Sequence, residues 1–201
     1  MALGGGVGAA RFLDGLARVV AQRELFIIGN TGDDTEQHGL HISPDLDTVL
    51  YTLAGLANPA TGWGVAGDTF ATLEMLRRYG ADDTWFQLGD RDFATHILRT
   101  QRLAEGQPLS PVIAALAGAL GVTAALLPMS DTPVATVVRT DAGDLAFQDY
   151  FVRRHHSDQV RGLAVTGVEA ARPAAALEAP PRGPRASTCC PTNALRTAAT
   201  A

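Results

Sequence analysis

Three clusters in the chain have residue types and spacings that could do chemistry. The first is Gly4-Gly5-Gly6-Val7-Gly8-Ala9, just ahead of an apolar helical pattern. Glycines let backbone N–H groups approach a phosphate, and the N-terminus of a following helix adds a positive dipole end. A G-x-G-x-x-G/A match runs through Gly4, Gly6 and Ala9, a pattern that also fits a tight strand-to-helix turn. The second cluster is acidic: Asn30-Thr31-Gly32-Asp33-Asp34, then Asp45 and Asp47. Hard divalent cations take oxygen ligands, and magnesium usually uses one or two carboxylates plus substrate phosphates. Asp45 alone would also serve as a helix cap, and helix residues two apart point in very different directions, so one ion need not meet both. The third is Gln87-Leu88-Gly89-Asp90-Arg91-Asp92. Charged residues after a strand end are where open α/β sheets place ligands; the plainer alternative is an Asp92 N-cap with a surface ion pair.

Other chemistry is thin. His96 falls in a helical stretch, where a lone histidine is more often structural. His155-His156 is expected in a solvated loop; Trp63 and Trp85 could line a flat ring, although aromatic residues are usually core. No Ser-His-Asp arrangement, G-x-S-x-G or H-E-x-x-H motif is found. The chain has no lysine, so all 16 of its positive side chains are arginine and a P-loop lysine is excluded. The match to a dinucleotide fingerprint is weakened because Gly29-Asn30-Thr31 stands where a ribose-binding acid would close the next strand.

The elements that must position these clusters alternate in type. A strand almost reduced to Met1–Leu3 precedes the glycines. A helix with Phe12, Leu13, Leu16, Val19 and Val20 on its apolar face follows, and then a core strand, Leu25–Ile28. Ser43 suits an N-cap, Pro44 the first helical position, and Asp45 and Asp47 the first turn of a helix with Leu46, Val49, Leu50 and Leu53 on its stripe. Asp68 is expected to cap a helix with Phe70, Leu73 and Leu76 that ends at Gly80. Residues 85–88 are expected to lead as a strand end into a helix carrying Phe93, Ile97 and Leu98. A helix starting at Ser110-Pro111, a strand over 122–127, a β-hairpin over 136–152 turning at Asp141–Asp144, and a strand over 163–168 complete the pattern. This is the grammar of an α/β domain.

Length and composition fit one soluble globular domain with a tail: 201 residues, 46% hydrophobic and 18% charged. The net charge of −5 argues against a nucleic-acid partner. No apolar run is long enough to span a bilayer, and the start lacks a basic and apolar leader, so no membrane partner and a cytoplasmic location are expected. Cys189 and Cys190 are adjacent and lack the spacing of a zinc site.

In combination the motifs are far more specific. Residues 5–16, Asn30–Asp34, His38–Tyr51, Leu88–Asp92 with Ala94-Thr95-His96, Leu127–Asp131 and Phe147–Val152 occur in this order. Together they resemble the 2-phospho-L-lactate transferase family of coenzyme F(420) biosynthesis, from about residue 4 to about residue 178. The resemblance implies a Rossmann-like α/β fold, a three-layer sheet with helices on both faces plus the hairpin, in a homodimeric enzyme. It implies transfer of a phospholactyl group, or its enolpyruvyl analogue, from lactyl- or enolpyruvyl-2-diphospho-5′-guanosine to the deazaflavin alcohol Fo, releasing GMP, with Mg2+ as cofactor. Carried onto this sequence, Asp47 and Gln87 match Fo-binding positions, although some members have lysine at the latter. Asp45 is the leading metal ligand, with Asp47 as its partner or as the group that orients the Fo hydroxyl. Gly5, Gly6, Gly8, Asn30, Asp33, Gly89, Asp90 and Arg91 are the remaining expected binding residues, with Arg91 and the glycine amides on the phosphates.

From about Ala170 the grammar breaks into Ala, Pro and Arg, which reads as a disordered tail. The expected division is therefore a partial transferase domain over 1–169 and a tail over 170–201. The change after Glu178 resembles a frameshift, with the C-terminal half of the family fold missing. Poor stability and weak or absent transfer are the corresponding expectation. An inactive remnant and a dinucleotide-binding oxidoreductase are the alternatives.

Overall fold

Residues 1–174 and 188–189 are described by a computed structural model. Their frame is a parallel sheet in the order β5-β2-β1-β9, built from β1 (Ala2–Gly4), β2 (Phe26–Gly29), β5 (Ala125–Pro128) and a two-residue β9 (Thr188–Cys189). The short first strand predicted from sequence is therefore real, and it lies between two neighbours. Ala2, Ile27 and Leu126 stand in register on one face. They share a single core with three helices: α1 (Gly6–Ala17), α2 (Pro44–Leu53) and α5 (Leu109–Ala119). Leu13, Ile27, Leu46, Val49, Leu50 and Ile113 are all almost wholly buried there, each contributing roughly 1.5–3 kcal/mol of burial free energy. On the opposite face Leu3 is 41% exposed and Ile28 half-buried. The fold is α/β with a parallel sheet, as expected, but the sheet-packing helices share one core, and a second helical layer is not found among the described residues.

Between β2 and α2 the chain inserts a small hairpin, β3 (Thr35–Gln37) with β4 (Leu40–Ile42), which was not expected. Its turn uses His38 and Gly39, both at positive φ, the twist that suits a two-residue hairpin loop. Next come α3 (Ala71–Arg78) and α4 (Asp90–Ala104). Their caps are exchanged. Asp68 accepts from the amides of Arg91 and Asp92 at the start of α4, and Asp90 accepts from Ala71 and Thr72 at the start of α3. Asp68 thus caps a different helix from the one expected, and Asp92 lies inside α4 rather than capping it. The strand end expected at 85–88 is turn and irregular chain.

Of the expected apolar face of α4, only Phe93 is buried. Ile97 and Leu98 are about half exposed, and the buried residues are Asp92, Phe93, His96 and Arg99. Spacings of three and four put these on one helix face, which meets polar groups of α2. β6 (Ala135–Thr140), β7 (Gly143–Ala146) and β8 (Val160–Thr166) form a separate antiparallel sheet ordered β7-β6-β8. The expected hairpin is present, but its second strand stops at Ala146 and gives way to a single π-helical turn at Asp149–Arg153. Residues 170–174, placed in the tail by sequence, pack back on the domain: Pro173 bridges to Ser130, and Ala174 is fully buried. The rest of the expected disordered tail, 175–187 and 190–201 with Cys190, lies outside the described residues.

Candidate functional site

A cavity of about 1200 Å³ opens at the carboxyl ends of β1, β2 and β5, lined by Leu3–Gly8, Ile28–Asn30 and Met129 from these strand ends. Open α/β sheets place ligands there, and the volume exceeds what a single small ligand needs. Its remaining walls include α2, the N-terminal half of α4, the loops carrying Trp63-Gly64 and Phe86–Leu88, and the segment after β7.

One end is acidic. The amide nitrogen of Asn30 donates to Asp33 Oδ1 at 3.1 Å and to Asp45 Oδ2 at 3.0 Å, while its oxygen accepts from the Gly32 amide. Gln148 Nε2 completes the clasp by donating to the Asp33 carbonyl at 3.2 Å and to Asp33 Oδ2 at 3.1 Å. The Asp45 carboxylate lies directly on Gly5 and Gly6 at the start of α1. A Cβ on Gly5 would collide with it, and Gly6 needs its positive φ of 71°. Burial pushes the Asp33 carboxyl well above the usual carboxylate range, and the charges of Asp45 and Asp34 push the same way. Burial also raises Asp45, against the Asn30 hydrogen bond. Two buried acids of this kind need a shared proton or a cation between them. Asp34 leaves its neighbour and takes Ser43 Oγ at 2.9 Å and His41 Nε2 at 3.0 Å. That explains why Ser43, at the N-cap position of α2, makes no capping bond.

The floor is built differently. Arg99, fully buried, grips Asp47 with both terminal nitrogens, Nη2 on Oδ1 and Nη1 on Oδ2 at 3.0 Å. Arg99 Nη1 also reaches His96 Nδ1 at 3.3 Å. A guanidinium only donates, so the ring proton belongs on His96 Nε2, which lies 3.2 Å from Asp92 Oδ1 but out of line for a hydrogen bond. Tyr51 donates to the same oxygen at 2.6 Å. Burial, then the charges of Asp47 and Asp92, raise the Tyr51 phenol above its ordinary value and keep it a donor. The side wall is apolar and flat: Trp63, Phe86, Phe147 and Phe151 line it, and the last two stack at 5.6 Å.

Gly5, Gly6, Gly8, Asn30, Asp33, Asp45, Asp47 and Gln87 all line this cavity. Gly89, Asp90 and Arg91, also expected to bind, lie outside its lining. Gly89 leaves room for the Asp68 carboxylate. Asp90 is an exposed cap, held well below the usual carboxylate range by the Thr69 and Thr72 hydrogen bonds. Arg91 reaches the Ala66 carbonyl. Asp47, expected as the metal partner of Asp45, has both oxygens bonded to Arg99, whereas Asp45 is linked through Asn30 to Asp33. His96 lines the cavity, which a purely structural histidine need not do. Sequence reasoning gave no role to Tyr51, Arg99 or Gln148, and held Asp92 only as a member of the third cluster or a cap. The signal for the α4 residues was the run of polar types at spacings of three and four.

The model of the family described as 2-phospho-L-lactate transferase CofD matches residues 1–180. A phosphoenolpyruvate transferase from Streptomyces griseus is 48% identical over 176 residues, covering 86% of this chain and 55% of that protein. A 2-phospho-L-lactate transferase from Methanosarcina acetivorans is 41% identical over 169 residues, covering 84% and 55%. The chain spans about half the length of the curated relatives it matches. Among solved structures, a UPF0052 family member from Bacillus halodurans is 13% identical with a TM-score of 0.49, covering 87% of this chain and 53% of that one, a likeness too loose to add weight.

Proposed function

The chain belongs to the 2-phospho-L-lactate transferase CofD family, and from that premise we propose that its main cavity serves transfer of a phospholactyl or enolpyruvyl-phosphoryl group from a guanosine diphosphate donor to the deazaflavin alcohol Fo. The observation that carries this is one cavity with two unlike ends. A glycine loop and a buried acid pair suit a diphosphate with a divalent cation, and a stacked aromatic wall suits a flat ring.

Asp33 and Asp45 fit Mg2+. One is buried and the other half-buried, neither bonds a cationic side chain among the described residues, and magnesium commonly takes one or two carboxylates and leaves the rest of its shell to water and phosphate oxygens. When bound, the ion would neutralise charge on the diphosphate and on the departing GMP. The chain's own residues supply positioning. The Gly5, Gly6 and Gly8 backbone at the start of α1 faces the phosphates, and Asn30 sets the spacing of the two acids. Phe147, Phe151, Phe86 and Trp63 hold the ring, and the floor orients the hydroxyl chain. The acceptor oxygen bonds to the phosphorus bearing the lactyl group, the bond to the GMP oxygen breaks, and the hydroxyl proton passes to a floor carboxylate. Asp92 suits that last role better than Asp47, whose two oxygens both face Arg99. Asp47 fixes the floor's geometry.

Calorimetric titration of the purified chain with Fo and with NADH tests this proposal. Fo binding without NADH binding is expected. NADH binding without Fo binding would replace the transferase with a dinucleotide-dependent enzyme.

A further inference from the structure

Between residues 141 and 173 Gln148 is the only buried residue, and only 7% of it is exposed. The turn that follows it, Asp149–Arg153, contains none. Yet this segment supplies Phe147, Phe151 and Val152 to the cavity wall. Its anchor is the pair of hydrogen bonds from Gln148 Nε2 to Asp33, a residue 115 positions earlier. Phe147 and Phe151 flank Gln148 and stack on each other, and His156 stacks on Phe151 at 5.5 Å. One buried amide thus ties the aromatic wall to the acid end of the same cavity.

We propose that Gln148 is a positioning residue that couples the two ends, so that a divalent cation on Asp33 and Asp45 and a flat ring on Phe147 and Phe151 strengthen each other's binding. The inference rests on the transferase proposal for the identity of the ring. A cation fixes the Asp33 carboxylate to which the Gln148 amide is bonded. A fixed acceptor holds the Gln148 side chain, and with it the backbone carrying both phenylalanines. A ring seated on those phenylalanines holds the same amide against Asp33 from the other side. Such linkage is reciprocal by thermodynamic necessity. Besides Gln148, the exposed turn has the Arg153 guanidinium resting over the Trp85 ring at 5.8 Å, a surface contact that leaves the buried amide as its main hold.

The test titrates Fo fluorescence with the purified 201-residue chain, with and without MgCl2, in wild type and in Gln148→Met, which keeps the bulk and removes the donor. Wild type should bind Fo about fivefold or more tightly with Mg2+, the lower end of ordinary coupling. Gln148→Met should bind Fo with an affinity that Mg2+ leaves unchanged. Hydrogen exchange on the wild type provides a reading that needs no variant: Mg2+ should slow exchange of the amides of residues 147–153. Equal Mg2+ dependence in both proteins, or unchanged exchange in that turn, overturns the coupling while leaving the transferase proposal standing. Absence of any Fo binding to the wild type overturns both.

Discussion

Two buried acid groups share one cavity and are solved by opposite means. Asp47 has its cation built in: Arg99 meets both of its oxygens. Asp33 and Asp45 have only neutral amides, from Asn30 and Gln148, and both carboxyls are raised. Asp45 and Asp47 are separated by one residue, yet about 200° of helix rotation turns them to different surroundings. The difference is that, among the described residues, one group carries its countercharge in the fold and the other does not. On the proposal above, the second group would take its countercharge from a bound divalent cation.

The comparison breaks most violently at Arg99. Arg99→Met should cost about 3–5 kcal/mol, because it strands the Asp47 charge in the interior. Urea unfolding measures it, and the double variant with Asp47→Leu should recover much of the loss. If the single variant is nearly neutral, the floor is not the self-contained ion pair described.

Gly5→Ala attacks the other group. Gly5 has φ −156°, so its backbone accepts any residue, and the added methyl collides only with Asp45. Most of the thermal stabilisation given by Mg2+ should vanish, whereas Gly8→Ala, which faces open space, should keep it. Equal behaviour of the two variants would remove Asp45 from the site.

A smaller effect separates the groups by pH. A carboxyl raised in the folded chain binds its proton more tightly there than in the unfolded chain. Its contribution is thus favourable below the unfolded value of about 4 and is lost as pH rises through the folded one. Without cations, stability should fall as pH climbs above the ordinary carboxylate range, and Mg2+ should raise Tm more at pH 7.5 than at pH 5. Asp33→Asn should flatten that dependence.

Smallest of all, Asp90→Asn weakens an exposed cap. It should lower Tm slightly and leave Fo and Mg2+ binding unchanged, since Asp90 lies outside the cavity. Altered Fo binding would return Gly89, Asp90 and Arg91 to the site as first expected.

Much of this was legible in sequence for local reasons. Glycines ahead of an apolar helical pattern, Pro44 after Ser43, and Leu46, Val49 and Leu50 at helical spacing name their elements without help. What could not be read were partners brought from afar. Nothing local says that Asp68 and Asp90 exchange helices, that Arg99 pairs with a residue 52 positions earlier, or that Gln148 reaches Asp33. The apolar residues Ile97 and Leu98 misdirected the assignment of α4, because its buried face answers the polar side of α2 rather than the sheet.

The central claim is settled most directly by counting cations. Calorimetric titration with MgCl2 should show one site in the wild-type chain, lost in Asp45→Asn and in Asp33→Asn but kept in Asp92→Asn. Undiminished Mg2+ binding by a folded Asp33→Asn, Asp45→Asn double variant would contradict the account.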